Sequence, residues 1–167
     1  LKRSIEWLDR LIAFDTTSRL SNLDLISDIE KYMNELGVPT RLTHDKDKTK
    51  ANLWCTIGPQ DIGGVVLSGH TDVVPIDGQE WTKTPFRMSE ESGKLFGRGT
   101  SDMKGFCAIA LAMAPEMKSR DLKVPIHFAF SFDEEVGCVG VRHLIKDVVD
   151  NLPCLLYTSD AADDELG

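Results

Sequence analysis

Val65, Val66 and Leu67 form an apolar run that stops abruptly at Ser68-Gly69-His70, with Asp72 two residues further on and Pro75 closing the stretch. Bounded by Gly63-Gly64, the run reads as a strand buried on both faces, the pattern of a parallel sheet covered by helices. His70 then lies just past the carboxyl end of that strand, which in open α/β sheets is where ligand crevices form. Side chains two apart on extended backbone share a face, so Asp72 is expected to point where His70 points and to brace the imidazole.

The remaining segments alternate in the same way. Ile5, Leu8, Leu11 and Ile12 recur at helical spacing over residues 4–14, and Asp15-Thr16-Thr17-Ser18 ends that helix. Leu23, Ile26, Ile29, Met33 and Leu36 predict a second helix over 22–36, with Ser21 or Asn22 as N-cap and Gly37 past its end. Two strands follow at 38–43 and 51–57, joined by a polar turn. Beyond the central strand at 64–69 comes a long polar stretch, 76–93, and loops of that length are usually functional or disordered. Its Trp81 and Phe86 are read as packing back on their own domain. A short strand at 94–96 precedes a helix from about 103 to 118, whose Phe106, Ile109, Ala110 and Met113 are expected to cover the sheet. A mostly apolar strand, 124–132, and a helix, 139–149, complete the pattern. Strand, turn and helix in repetition predict an α/β fold, a doubly wound and mostly parallel sheet with helices on both faces.

Composition narrows the function. With 27 acidic residues against 19 basic ones the net charge is −8, and no Lys/Arg cluster is present, which argues against a nucleic-acid partner. No apolar run approaches membrane-spanning length, and no signal core opens the chain. Cys55, Cys107, Cys138 and Cys154 are widely spaced with no C-x-x-C pair, so we read them as reduced thiols of a cytoplasmic protein.

The acids that remain are placed for chemistry. Asp102 stands at a loop-to-helix junction, where aspartate is also a favoured N-cap. Glu134 and Glu135 follow the strand at 124–132, and adjacent carboxylates repel unless a cation or a shared proton offsets their charge. His70 with Asp72, Asp102, and Glu134 with Glu135 all fall at or beyond carboxyl ends of strands, which favours a metal site. Imidazole and carboxylate ligands suit zinc, and also cobalt or manganese. Competing motifs fail: the Gly97-Arg98-Gly99 run lacks the last glycine of a dinucleotide loop, and neither a phosphate-binding G-x-x-x-x-G-K-[ST] nor a G-x-S-x-G elbow occurs. The reading of another class is a non-catalytic α/β binding module whose acids cap helices and solvate turns.

Three blocks carry a family resemblance: Ser68-Gly69-His70-Thr71-Asp72-Val73-Val74-Pro75, Gly97-Arg98-Gly99-Thr100-Ser101-Asp102-Met103-Lys104-Gly105 and Asp133-Glu134-Glu135-Val136-Gly137. In this order and spacing they resemble the M20 metallopeptidases, and within that family the members that release ornithine and acetate from N-acetylornithine. The resemblance implies two divalent metal ions, zinc or cobalt. His70 would bind one and Glu135 the other, Asp102 would bridge them, Asp72 would orient His70, and Glu134 would be the general base. It also implies a cis peptide bond between Asp102 and Met103. N-succinyl-diaminopimelate desuccinylation and other aminoacylase or dipeptidase activities of the family would use the same residues.

Family members are far longer. They carry a second domain for dimerisation and lid closure, a further acidic ligand shortly after the position of Leu152, and a histidine near a distant C-terminus. None of these has a counterpart here. The expectation is therefore that residues 1–152 are the N-terminal part of the catalytic domain of a homodimeric enzyme, that the fragment itself is inactive, and that 153–167 is a foreign tail.

Overall fold

The computed structural model describes residues 1–149. Helix α1 (Lys2–Ile12) and helix α2 (Leu23–Glu35) precede strands β1 (Thr40–His44), β2 (Ala51–Ile57) and β3 (Val65–His70). A small hairpin, β4 (Ser89–Glu91) and β5 (Lys94–Phe96), lies within the long polar segment. Helix α3 (Lys104–Lys118), strand β6 (Ile126–Ser131) and helix α4 (Val139–Val149) follow.

Four strands form one sheet in the order β1-β2-β6-β3. The expectation of a mostly parallel sheet needs correction at the level of pairing. Only β3 with β6 is a parallel pair, whereas β1 with β2 and β2 with β6 are antiparallel. Strands β1, β6 and β3 do point one way, with β2 reversed between them. The connection of six residues between β1 and β2 permits only a hairpin, while the return from β3 to β6 runs through α3, as a parallel crossover must. Strand β3 is also an edge strand among the described residues. Its Val65 is 48% exposed, so burial on both faces holds only towards His70.

Helices cover both faces, as the α/β pattern predicts. Leu53, Cys55 and Ile57 of β2 with Phe128 and Phe130 of β6 alternate onto one face, where they pack with α1, α2 and α3. Trp54, Val66 and Ala129 point the other way and meet Leu144 and Val148 of α4. Within α3, however, the buried side is Cys107, Ala108, Ala110, Leu111, Ala112 and Ala114. Ile109 and Met113, expected on the sheet, are exposed. The start of α3 crosses close to β3: a Cβ added at Gly69 would stand 3.0 Å from Cys107 Sγ and 3.1 Å from a Phe106 ring carbon. At the same end of α3 Lys104 is buried, and its ammonium donates to the carbonyls of Leu11 at 3.0 Å and Phe14 at 2.7 Å. A cation there binds carbonyls at and just beyond the end of α1 and complements its dipole. Burial pushes the Lys104 ammonium down to about 8.

Candidate metal centre

Strand β3 delivers His70 as its last residue, nearly fully buried, and three residues on Val73 forms a parallel bridge with Thr17. His70 Nδ1 lies 3.0 Å from the carbonyl of Asp72 and 3.4 Å from its carboxylate. With Nδ1 engaged, Nε2 faces the other carboxylates: Asp102 at 3.0 Å and Glu134 at 3.6 Å.

Asp72 is the junction of the site. Besides the imidazole, its carboxylate accepts from the Ser18 hydroxyl at 2.7 Å and from the backbone N–H groups of Glu134 and Glu135 at 3.0 and 3.2 Å. One buried side chain thus ties the end of β3 to the turn after β6. That turn begins at Asp133, which adopts φ +53°, a conformation uncommon for any residue but glycine. Hydrogen bonds from Gly137 and Cys138 to the Glu134 carbonyl close it before α4.

Asp102 does not act as a helix cap, because Met103 occupies the cap position of α3 and no side chain bonds there. Its carboxylate is half exposed and turns to His70 instead. The Asp102–Met103 peptide bond is cis. Among the described residues, His70, Glu134 and Glu135 each offer a ligand atom within 4.8 Å of the others, a donor set of imidazole nitrogen and carboxylate oxygens that fits a zinc-type ion. The structure thus brings His70, Asp72, Asp102, Glu134 and Glu135 to one place, with Glu134 as close to the histidine as a ligand would be. Residues beyond Leu152, where the family's next acidic ligand is expected, lie outside the described part.

The charges answer one another. For Glu135, burial raises the carboxyl above its ordinary value; the charge of His70 opposes this, and the charges of Asp102, Glu134 and Asp72 reinforce it. Burial works equally against a charged imidazole, yet the hydrogen bond and charge of Asp72, then the charge of Glu134 and the hydrogen bond of Asp102, raise His70 to about 9. Burial likewise disfavours the Asp72 carboxylate, but the bonds it accepts from His70, Ser18 and the Glu134 amide hold it below the ordinary range.

A histidine whose pKa rises on folding stabilises the chain fully below its ordinary value of 6.5 and loses that contribution as the pH rises to about 9. Lys104, pushed down to about 8, acts in the opposite sense above that pH. Between pH 6.5 and 8 the metal-free chain should therefore lose stability as the pH rises, by at most about 1.4 kcal/mol per pH unit. Urea unfolding midpoints in the presence of a chelator measure this, and a midpoint that rose across the window would contradict it.

Sequence reasoning left three contributors without a role. Ser18, in the polar run read only as the end of the first helix, holds Asp72. Lys50 forms a part-buried ion pair with Asp133 across 83 positions of chain, a pairing no local pattern signals. Lys104, a polar residue opening an apolar helix, reads as exposed until α1 is packed over it.

Comparison with known proteins agrees with this geometry. The family model described as peptidase family M20/M25/M40 matches residues 66–163, a span that runs into the segment expected to be foreign. Acetylornithine deacetylase from Shigella sonnei (strain Ss046) is 36% identical over 137 residues, which cover 81% of this chain and 36% of that protein. The chain thus spans about a third of the length of the curated relative it matches. An M20 family metallo-carboxypeptidase from Sulfolobus solfataricus superposes with a TM-score of 0.80 at 20% identity, covering 95% of this chain and 38% of the other. Human carnosine dipeptidase 1 gives a TM-score of 0.70 at 23% identity, with the same coverage of each chain, 95% and 38%. No helix among the described residues is long and apolar enough to cross a membrane. All three motif blocks, and every acid around His70, fall inside the matched span, and this chain belongs to peptidase family M20/M25/M40.

Proposed function

We propose that this chain forms the metal-holding part of a deacylase that hydrolyses the amide of an N-acyl amino acid, with N-acetylornithine as substrate and ornithine and acetate as products. That activity would place it in arginine biosynthesis, in a cytoplasmic homodimer. The observation that carries the reading is the approach of His70, Glu134 and Glu135 ligand atoms to within 4.8 Å of one another, with Asp102 on the same imidazole nitrogen. The 36% identity to acetylornithine deacetylase supports the choice of substrate.

In this reading His70 would hold one ion and Glu135 a second, Asp102 would contribute to both, and further ligands would come from sequence beyond Leu152. The ions are zinc or cobalt, and when bound they supply Lewis acidity that polarises the amide carbonyl. The chain's own residues do the rest. Asp72 engages His70 Nδ1 and thereby keeps Nε2 directed at the acids, the usual service of a carboxylate behind a ligating histidine. Glu134 is part-exposed, so it reaches a water as well as the site. It takes the proton of the water that attacks the carbonyl and delivers it to the departing amine.

Calorimetric titration of the chain with zinc tests the site directly. Heat of binding should appear and should be lost in His70→Ala and Glu135→Ala, because each deletes a ligand. A titration with no heat, or with heat unchanged in both variants, would leave the non-catalytic module as the better reading.

A further inference from the structure

Lys50 stands outside the donor set, yet its ammonium sits where the pieces of the site meet. It donates to both carboxylate oxygens of Asp133, at 2.5 and 2.7 Å, and also to the carbonyl of Ser18. Both side chains of the ion pair are only 14% exposed. A closed circuit results. Ser18 bonds Asp72 through its hydroxyl and Lys50 through its carbonyl, Asp72 receives the amides of Glu134 and Glu135, and Asp133, the residue before them, returns to Lys50. Asp133 is also the residue at φ +53°, so its side chain and its backbone are both committed where the turn leaves β6.

We propose that Lys50 is a positioning residue for the metal centre, acting through Asp133 to set where Glu134 and Glu135 stand relative to His70. The inference rests on the proposed metal site and goes beyond it, since it assigns control of the two glutamates to an ion pair outside the donor set. A charge acting merely as a charge predicts the opposite outcome. A lysine near a cation site repels the cation, so its loss should tighten metal binding, whereas the loss of a positioning contact should weaken it. The sign of the change therefore separates the two roles.

The experiment is zinc titration of the 167-residue chain and of Lys50→Met, Lys50→Arg and the double variant Lys50→Met with Asp133→Asn, each checked for cooperative urea unfolding, with His70→Ala as control. Outer partners of metal ligands typically contribute 10–100-fold to affinity. Lys50→Met should weaken zinc binding by about that factor, and Lys50→Arg should restore most of it. The double variant leaves net charge unchanged and no unpaired buried carboxylate, so it decides the matter should Lys50→Met fail to fold. It too should bind about 10–100-fold more weakly. Equal or tighter binding in the folded variants would overturn the positioning role and leave the metal site standing. Were the unsubstituted chain to bind no zinc, or His70→Ala to bind it equally well, the metal reading itself would fall and this inference with it.

Discussion

Glu134→Gln, made in a chain extended to the length of its relatives, should slow acetate release from N-acetylornithine by about 10²–10⁴-fold while metal content stays at the wild-type level. Glutamine keeps the shape of the side chain and removes the proton acceptor. The measurement pairs the rate with metal analysis, because Glu134 also lies close enough to His70 and Glu135 to be a ligand. A base-only role loses rate and keeps metal; a ligand role loses both together. A glutamine enzyme running at the wild-type rate with full metal would remove Glu134 from the chemistry.

The second large effect is on stability. Asp72→Ala deletes a buried carboxylate that accepts one hydroxyl and two backbone N–H bonds and faces an imidazole. Each donor left in the interior without an acceptor costs about 1–3 kcal/mol. His70 also loses the carboxylate that favours its charged form. Removing one partner from such a buried arrangement typically costs about 3–5 kcal/mol, and that is the loss expected in urea unfolding of the metal-free chain. Asp72→Asn should cost less, because the amide keeps one acceptor oxygen. A change for Asp72→Ala of no more than about 0.5 kcal/mol would mean that these bonds are remade elsewhere or by water.

Local chemistry carried much of this. The period of Leu23, Ile26, Ile29 and Met33 predicts α2 and the face it buries, and all of these but Leu23 are buried. Apolar runs ending at His70 and before Glu134 mark two strand ends, and those strands prove to be parallel neighbours with His70 opposite Ser131. That register brings a histidine and two glutamates, more than sixty residues apart, to the same edge. Side-chain direction at β3 was also legible, since extended backbone puts His70 and Asp72 on one face.

Other features required the assembled chain. Helix α3 is apolar on nearly every side, so its sequence carries no period that selects a face. Packing against α1 and the sheet decided it, burying Cys107, Leu111 and the alanines and leaving Ile109 and Met113 in solvent. The mostly parallel pairing expected from the sequence held only for β3 with β6, because a buried strand reads alike in parallel and antiparallel sheets, and the short turn before β2 and the helical crossover before β6 set each direction. Lys50 with Asp133, and Lys104 with the carbonyls of α1, are unions of a polar residue with a partner more than eighty positions away. The amino-acid sequence by itself determined which metal-ligating and acid–base side chains stand at strand ends, because residue type and short-range periodicity are local properties. The tertiary structure alone decided which partners Lys50 and Lys104 take, because such a pairing depends on distance in space and leaves no trace in spacing along the chain.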